Sequence, residues 1–403
     1  MTNFLLILFL SSVYLMNAFG LGPNLYPLRL ILPITIVYFS VLFFQKSILL
    51  REKIKIQPVL IFSLLFFLYY FFHTYIASFL RNTLFDYNYE LNSILNFTFL
   101  FGLILTFFLI YLCDTKKFFK FFNGVTLLFY FMYGLYAFYE IITGNHLTTS
   151  DLFDAPYWLR YSPTVVYYNS NDFASIFTLM FMYLLSMYDK QKTLSILWLF
   201  VMICFHLIIV YYTQSRISLL VSLFFLGYRY PFKLAYSSII SVLIFLVGIT
   251  MFDSNWYMQF LDGLKELKTD LLFSDRQSAS VRLYLYKHSI MSIFSSYGIG
   301  YGIDYSLQYF QSINDPNLSH IVNPHSYLFE ILINSGVLAL LGFISLNIYL
   351  IVQNIFLKEY DLVVQIFMLN LLLFSSSSTL FIWTIYLFIF IYICKTAHQQ
   401  IKS

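Results

Sequence analysis

The feature that most constrains this chain is a series of long apolar runs that recur along the whole sequence. About twelve are present, most of them roughly 15 to 23 residues long, which suits helices that cross a hydrocarbon core about 30 Å thick. They cover residues 4–19, 28–44, 59–79, 94–113, 124–143, 172–188, 194–212, 217–228, 234–252, 331–356, 362–374 and 380–394. The pattern predicts an all-α protein, a polytopic transmembrane helical bundle of about twelve spans that forms a single membrane domain over residues 1–403.

The amino-acid composition argues against a water-soluble fold. Hydrophobic residues make up 60% of the chain and charged residues only 10%, whereas soluble domains contain about 25% charged residues. The formal net charge of +4 is small and scattered, so nucleic-acid binding is not expected. The lipid bilayer is therefore the first expected partner.

The charged residues between the runs predict the orientation of the bundle. Fourteen of the 23 Lys and Arg residues follow every second run or close the chain: Lys46, Arg51, Lys53, Lys55, Lys116, Lys117, Lys120, Lys190, Lys192, Arg229, Lys233, Lys358, Lys395 and Lys402. Only five of the 19 Asp and Glu residues share these segments. By the positive-inside rule this face is cytoplasmic, with both termini inside. Residues 144–168 and the large loop 253–324, between spans nine and ten, then lie outside, and helical periodicity predicts helices within the large loop.

Four polar clusters on the predicted outer side could carry chemistry, because charges at the rim of a membrane bundle are costly and often functional. They are Ser215-Arg216 between two runs; Arg282 ahead of Gly298, Gly300 and Gly302; Pro324-His325 where the loop re-enters the membrane ahead of Gly336; and Asn169, Asn171 and Asp172 at the start of a run. Three of them have simpler interpretations when taken singly. These are an interfacial arginine, a solvated loop charge with a flexible glycine turn, and a helix N-terminal cap.

In this order the four clusters resemble the motifs of the bacterial O-antigen ligase and O-antigen polymerase superfamily, membrane proteins of glycan assembly. The resemblance covers roughly residues 160–345 and agrees with the predicted topology. One position departs from the usual pattern, because Ser326 follows His325 where the family often has asparagine. The resemblance implies a multi-pass protein of the bacterial cytoplasmic (inner) membrane.

The resemblance further implies a glycosyltransferase whose donor is an undecaprenyl-diphosphate-linked glycan. Arg216 and Arg282 suit the departing diphosphate, because guanidinium groups bind phosphate oxygens bidentately. His325 suits the proton acceptor for an attacking sugar hydroxyl, since imidazole titrates near neutral pH. Further candidate contacts to the diphosphate or glycan are Arg160, Asn171 and Arg276.

Metal and cofactor chemistry is not expected from the sequence. It contains no Asp-x-Asp pair of the kind that holds a metal on a nucleotide sugar, and no His and Cys cluster with zinc spacing. The sequence therefore predicts a metal-independent reaction without a cofactor.

Three functions remain open at this stage. The leading prediction is a polymerase of lipid-linked repeat units that makes O-antigen or capsular polysaccharide, with a chain-length regulator as a candidate partner. The first alternative is a ligase that moves finished glycan from undecaprenyl diphosphate to a lipid A-core or other terminal acceptor. The second is a flippase or transporter of the lipid-linked oligosaccharide, which is disfavoured because the distinctive charges lie at the outer rim rather than at mid-membrane depth.

Overall fold

The computed structural model describes residues 2–16, 26–49, 56–85, 91–153, 160–191, 196–230, 278–303, 309–310, 313, 326–375 and 382–402. Within these segments the helices are α1 (Thr2–Leu15), α2 (Pro27–Phe44), α3 (Pro58–Phe85), α4 (Leu91–Thr143), α5 (Ser170–Gln191), α6 (Ile196–Tyr212), α7 (Arg216–Arg229), α8 (Ser278–Ser295), α9 (Tyr327–Phe356), α10 (Tyr360–Ser375) and α11 (Trp383–Lys402). A π-helical turn, Gln45–Leu49, extends α2. None of these segments contains a strand, so the all-α prediction is confirmed.

All of the described helices except α8 coincide with predicted spans. Eleven of the twelve runs fall on described helices, and the remaining run, 234–252, lies outside the described residues. Among the described residues, five helical segments are long and apolar enough to cross a membrane: Pro27–Ser47, Pro58–Arg81, Ser93–Asp114, Lys116–Thr143 and Tyr327–Phe356. Shorter apolar helices are Thr2–Leu15, Leu197–Tyr212 and Tyr360–Phe374. The chain is thus a multi-pass, all-α membrane protein, and the full count of twelve stays a prediction.

Two predicted spans meet in α4 at a kink rather than at a loop. The backbone leaves the helical region at Asp114 (φ −159°, ψ 80°), and the Asp114 carboxylate accepts a hydrogen bond from the Lys117 main-chain nitrogen (3.1 Å). This bond caps the helix that follows. The Lys46 ammonium donates to the carbonyl of Cys113 (2.6 Å), at the end of the preceding helix. The lysine-rich segment after the fourth run, predicted to be a connection, therefore forms the first turns of a helix.

The centre of the bundle is formed by α5 and α11. Every side chain from 172 to 186 and from 383 to 394 is buried. The outer helices instead expose large apolar side chains at helical spacing, among them Ile34, Val37 and Val41 on α2, Leu65, Phe72 and Phe79 on α3, and Leu338, Leu341 and Ile348 on α9. Outward stripes of this kind fit contact with lipid chains.

Polar contacts divide the helix ends into two groups. At one end, Arg229 of α7 forms an ion pair with Asp361 of α10 (2.9 Å) and donates to the Ser186 hydroxyl of α5 (3.4 Å). At the other end, Glu140 near the end of α4 accepts a hydrogen bond from the Thr164 main-chain nitrogen, ahead of α5 (2.8 Å). The loop charges assign Arg229 to the cytoplasmic side and Thr164 to the outer side. We call the group of helix ends around Glu140 and Thr164 the predicted outer end.

Candidate active site

The structure describes part of the predicted site. Arg160, Asn171 and Arg216 lie in described segments together with their side chains. Arg282 lies in α8, which confirms a helix in the large loop, but its side chain is not described. Arg276 and His325 lie outside the described residues.

Arg216 is the first residue of α7, and it is exposed. A short turn separates it from α6, with Gln214 at φ +58° and Ser215 as the N-cap residue of α7. This confirms the predicted break between the seventh and eighth runs. The first turn of a helix carries the positive end of the helix dipole and N–H groups outside the helical ladder. An arginine at this position adds a full positive charge to a helix N-terminus that already favours phosphate binding.

The asparagine cluster at the start of α5 is a helix cap. The Asn169 side-chain oxygen accepts a hydrogen bond from the Asp172 main-chain nitrogen (3.0 Å), and the Asn169 side-chain nitrogen donates to the Asp172 carboxylate (2.8 Å). Asn169 thus caps the helix, and the Asp172 carboxylate holds the Asn169 side chain in its capping position. Asn171 lies between them, half-buried and outside these two bonds, and its predicted role stays a prediction.

The glycine run after α8 docks against a break in α9. The backbone of α9 leaves the helical region at Gly336 (φ +79°, ψ −176°). Three main-chain hydrogen bonds cross between the two segments: Tyr301 N to the Ile333 carbonyl (2.8 Å), Gly302 N to the Asn334 carbonyl (2.8 Å) and Val337 N to the Gly298 carbonyl (3.0 Å). We call residues 298–302 and 333–337 the glycine seam. The run is therefore part of a long-range contact and not merely a flexible turn.

Two glycines of the seam are required by both conformation and space. A Cβ atom at Gly300 would lie 2.5 Å from the Gly336 nitrogen, and a Cβ atom at Gly336 would lie 2.3 Å from the Gly298 carbonyl oxygen. Both distances are far inside van der Waals contact. Both residues also have positive φ, at +88° and +79°, where a side chain is strained.

Side chains of α3 hold the same loop, and none of them belongs to the four polar clusters visible in the sequence. His73 Nε2 donates to the Ile299 carbonyl (2.9 Å). The Arg81 guanidinium donates to the Tyr301 carbonyl (3.4 Å) and lies 4.7 Å from the centre of the Tyr301 ring. Arg81 was visible in the sequence as a cation outside the basic segments, but its contacts lie 220 residues further along the chain.

Removing the Ser78 hydroxyl is expected to loosen the loop beside the seam. Ser78 Oγ accepts a hydrogen bond from the Ile303 main-chain nitrogen (2.8 Å), so Ser78→Ala leaves a buried N–H group without that acceptor, at a cost of about 1–3 kcal/mol. Hydrogen exchange of peptides covering residues 297–303 should become faster. Ser63→Ala is the matched control, because Ser63 is also buried on α3 but bonds only within its helix. Equal protection in both variants would contradict the assignment.

A second polar network lies at the end of α4. Glu140 Oε2 accepts hydrogen bonds from the main-chain nitrogens of Thr164 and Val165 (both 2.8 Å). His146 Nδ1 lies 3.1 Å from Glu140 Oε1 and 3.1 Å from Thr164 Oγ1, while His146 Nε2 lies 2.6 Å from the Arg160 carbonyl oxygen. The segment that contains Arg160 is therefore tied to the end of α4.

The first turns of α11 show that this network and the start of α9 share one end of the bundle. Tyr167 in the α4–α5 loop donates its hydroxyl proton to Thr384 (3.3 Å). Tyr327, the first residue of α9, donates to the Tyr386 hydroxyl (3.1 Å). Arg160, the glycine seam and the helix that follows His325 thus belong to the same predicted outer end.

A buried acid lies in α9 close to this end. Glu330 is only 1% exposed and lies near enough to the Tyr327 and Tyr386 hydroxyls to interact with them electrostatically. Ionisable groups inside a membrane bundle are rare and mark functional sites by default. Its position five residues after His325 was visible in the sequence, but nothing there showed that it is buried. Across the described segments, no group of three or more His, Cys, Asp or Glu side chains could hold a metal ion.

Comparisons with known proteins bear on the predicted resemblance. Residues 199–344 match the family model described as O-antigen ligase, and this similarity confirms the resemblance that the motifs predicted. Four of the six predicted site residues fall in this region: Arg216, Arg276, Arg282 and His325.

A curated protein similar to this chain is the teichuronic acid biosynthesis protein TuaE of Bacillus subtilis (strain 168), which is 28% identical over 226 residues. The match covers 53% of this chain and 46% of TuaE. The chain therefore spans about half the length of the curated relative that it matches.

Proposed function

We propose that this chain is a membrane glycosyltransferase of polysaccharide biosynthesis that joins lipid-linked repeat units on the outer face of the bacterial cytoplasmic membrane. The match of residues 199–344 to the O-antigen ligase family carries the proposal, because it includes Arg216, Arg282 and His325. The named function of TuaE, in teichuronic acid biosynthesis, supports the same general role. The positive-inside pattern supports cytoplasmic termini and an outer position for these residues.

The proposed reaction transfers a glycan from a lipid diphosphate to a sugar hydroxyl. The bond between C1 of the donor sugar and its phosphate oxygen breaks, and a bond forms between C1 and the acceptor oxygen. The hydroxyl proton passes to His325, which acts as general base. The lipid diphosphate leaves with the bonding electron pair, and its charge is balanced by the guanidinium groups of Arg216 and Arg282.

The exposure of Arg216 at the N-terminus of α7 supports the phosphate-binding part of this reaction. A phosphate there would meet both the guanidinium charge and the first N–H groups of the helix. Arg160, Asn171 and Arg276 are proposed as further contacts to the diphosphate or the glycan. The proposed donor is an undecaprenyl-diphosphate-linked glycan, and no step of the reaction calls for a metal or a cofactor.

Polymerase and ligase share this donor and differ only in the acceptor. We favour the polymerase, which transfers the growing chain onto the next lipid-linked repeat unit, with the ligase as the second candidate. Deletion of the gene separates them: single-repeat product indicates a lost polymerase, whereas lipid-linked polymer that never reaches its acceptor indicates a lost ligase.

Purified protein provides the direct test. Incubation with the lipid-linked repeat unit from the deletion strain is expected to give a ladder of longer lipid-linked glycans. A protein that only moves lipid-linked units across a membrane would give no ladder, and neither would a ligase without its acceptor. Absence of both elongation and transfer to an added acceptor glycan would overturn the proposal.

A further inference from the structure

The buried network at the end of α4 places a charged pair where burial of either group alone would be costly. Glu140 is fully buried, and His146 is 8% exposed. Burying an isolated carboxylate is strongly unfavourable, whereas a buried carboxylate that is paired and hydrogen-bonded can be accommodated. Glu140 receives two main-chain N–H groups and faces the imidazole of His146. The pair therefore needs all of these partners in order to persist.

The partners of His146 determine its protonation. The Arg160 carbonyl can only accept a hydrogen bond, so His146 Nε2 carries a proton. At His146 Nδ1 the neighbours are the Glu140 carboxylate and the hydroxyl oxygen of Thr164, whose own proton goes to Ser150 Oγ (2.8 Å). Both neighbours accept, so Nδ1 is protonated as well. The arrangement thus favours an imidazolium at His146, between Glu140 and the Arg160 main chain.

The surroundings of His146 favour this charged form. Burial by itself lowers the pKa of His146, but the close contact with the Glu140 carboxylate, the hydrogen bond to the Arg160 carbonyl, and the charges of Glu140 and Asp151 outweigh burial and raise the pKa above its ordinary value. Asp151, which faces His146 from the same loop, has its own pKa raised by burial. The charged groups that act on His146 are thus Glu140 from α4 and Asp151 from the same loop.

The Arg160 main chain is held at the helix end by more than one contact. Gly144 directly follows α4 with φ +66°, and its nitrogen donates to the Glu140 carbonyl (2.8 Å). A Cβ atom at Gly144 would lie 3.3 Å from Arg160 Cβ, so the glycine lets the Arg160 segment pack closely against the turn. His146 adds the hydrogen bond to the Arg160 carbonyl. Together these contacts fix the backbone position from which the Arg160 side chain extends.

We infer that His146 and Glu140 form a positioning pair for Arg160, which holds this arginine where it can contact the diphosphate of the lipid carrier. The inference rests on the proposed function, since it assigns Arg160 to the same donor. Neither His146 nor Glu140 touches the reacting atoms. The ligand class is a polyprenyl diphosphate, and the pair acts on its binding only through the backbone of Arg160.

Binding of undecaprenyl diphosphate to the full-length protein in detergent tests this role, with undecaprenol as the lipid that lacks phosphate. His146→Gln removes the charge and weakens the tie to Glu140, so undecaprenyl diphosphate should bind about tenfold more weakly, since hydrogen bonds to charged groups contribute more than about 1.4 kcal/mol. Undecaprenol should bind as it does to the wild type. The matched control is Asn145→Ala, an exposed neighbour that should change neither value.

A double variant tests whether His146 acts through Arg160. If it does, His146→Gln combined with Arg160→Ala should bind undecaprenyl diphosphate no more weakly than Arg160→Ala alone. If the two substitutions weakened undecaprenyl diphosphate binding by the product of their single effects, the inference would be overturned. An equal loss of undecaprenol binding would also overturn it, because it would indicate a general folding defect. Normal binding by His146→Gln would also overturn it.

The pH dependence of undecaprenyl diphosphate binding provides a further test, because a purely structural role of His146 would leave it unchanged. The folded-state pKa of His146 is raised, so the imidazolium is present at low pH and is lost as the pH rises through that pKa, above about 6.5. Wild-type affinity for undecaprenyl diphosphate should fall in that range by an additional step that His146→Gln lacks. Titration of the ligand phosphates is common to both proteins and cancels in the comparison. Identical profiles would overturn the inference.

Failure of the proposed function looks different in the same experiment. A wild-type protein that binds undecaprenyl diphosphate and undecaprenol equally well has no diphosphate site, and the proposed donor is then wrong. A wild type that prefers the diphosphate, while His146→Gln retains this preference, leaves the donor assignment intact. In that case only the positioning role is wrong.

Discussion

Gly336→Ala is expected to prevent α9 and the glycine run from docking, and so to remove most of the correctly folded protein. At φ +79° and ψ −176° the residue adopts a conformation open essentially only to glycine. The added Cβ would also lie 2.3 Å from the Gly298 carbonyl oxygen and 2.5 Å from the Ile299 carbonyl carbon. Backbone strain alone costs about 1–3 kcal/mol, and the clash adds to it. Fluorescence-detected size exclusion of the detergent-solubilised protein measures the loss.

Two other glycines in helices serve as controls for this substitution. A Cβ atom at Gly124 in α4 or at Gly227 in α7 would meet nothing within 4 Å. Alanine at either position should leave the folded yield unchanged or raise it slightly, because alanine favours helix over glycine by about 1 kcal/mol. A Gly336→Ala protein with wild-type yield and thermal midpoint would show that the seam does not hold α9 and the loop together.

Arg216→Ala is expected to abolish detectable polymer while the protein level stays normal. Arg216 is exposed at the start of α7, so its removal leaves the bundle intact. Loss of one group that stabilises the charge of a leaving diphosphate should slow transfer by about 10²–10³-fold. The glycan ladder from cells and the elongation rate of purified protein provide the measurement. His325→Ala should give the same phenotype through loss of the general base.

Arg229→Ala, at the other end of the same helix, is the contrasting control. Arg229 pairs with Asp361 and bonds Ser186, so its removal should lower stability by about 1–3 kcal/mol and reduce the amount of protein. The activity per folded molecule should stay close to wild type. Wild-type polymer from Arg216→Ala cells, or equal loss of specific activity in both variants, would contradict the assigned role of Arg216.

The helical bundle could be predicted because membrane-spanning helices depend on local hydrophobicity and length. The turn between α6 and α7 was predicted from one polar cluster, and the structure contains it. The helical start at Lys116, Lys117 and Lys120 was missed, because a kink at Asp114, where the carboxylate caps the next helical segment, takes the place of the expected loop. Such a cap depends on side-chain geometry, which a charge pattern does not report.

The candidate site was predictable only where its residues form a local motif. Ser215-Arg216 was found in this way, whereas the α3 residues that support the loop were not. His73 and Ile299 are separated by 226 positions, and no periodicity or spacing connects them. The Asn169 cluster shows the opposite case, since its simplest interpretation as a helix cap agrees with the observed bonds.

In the glycine seam, main-chain atoms hold the loop in place, whereas side chains of the same loop are exposed. Its joining bonds run between main-chain atoms, so they do not depend on which side chains occupy the non-glycine positions. Tyr297 and Ile299 beside these bonds are 88% and 41% exposed. Related proteins could therefore exchange these exposed side chains during evolution while the loop keeps its attachment to the membrane helices.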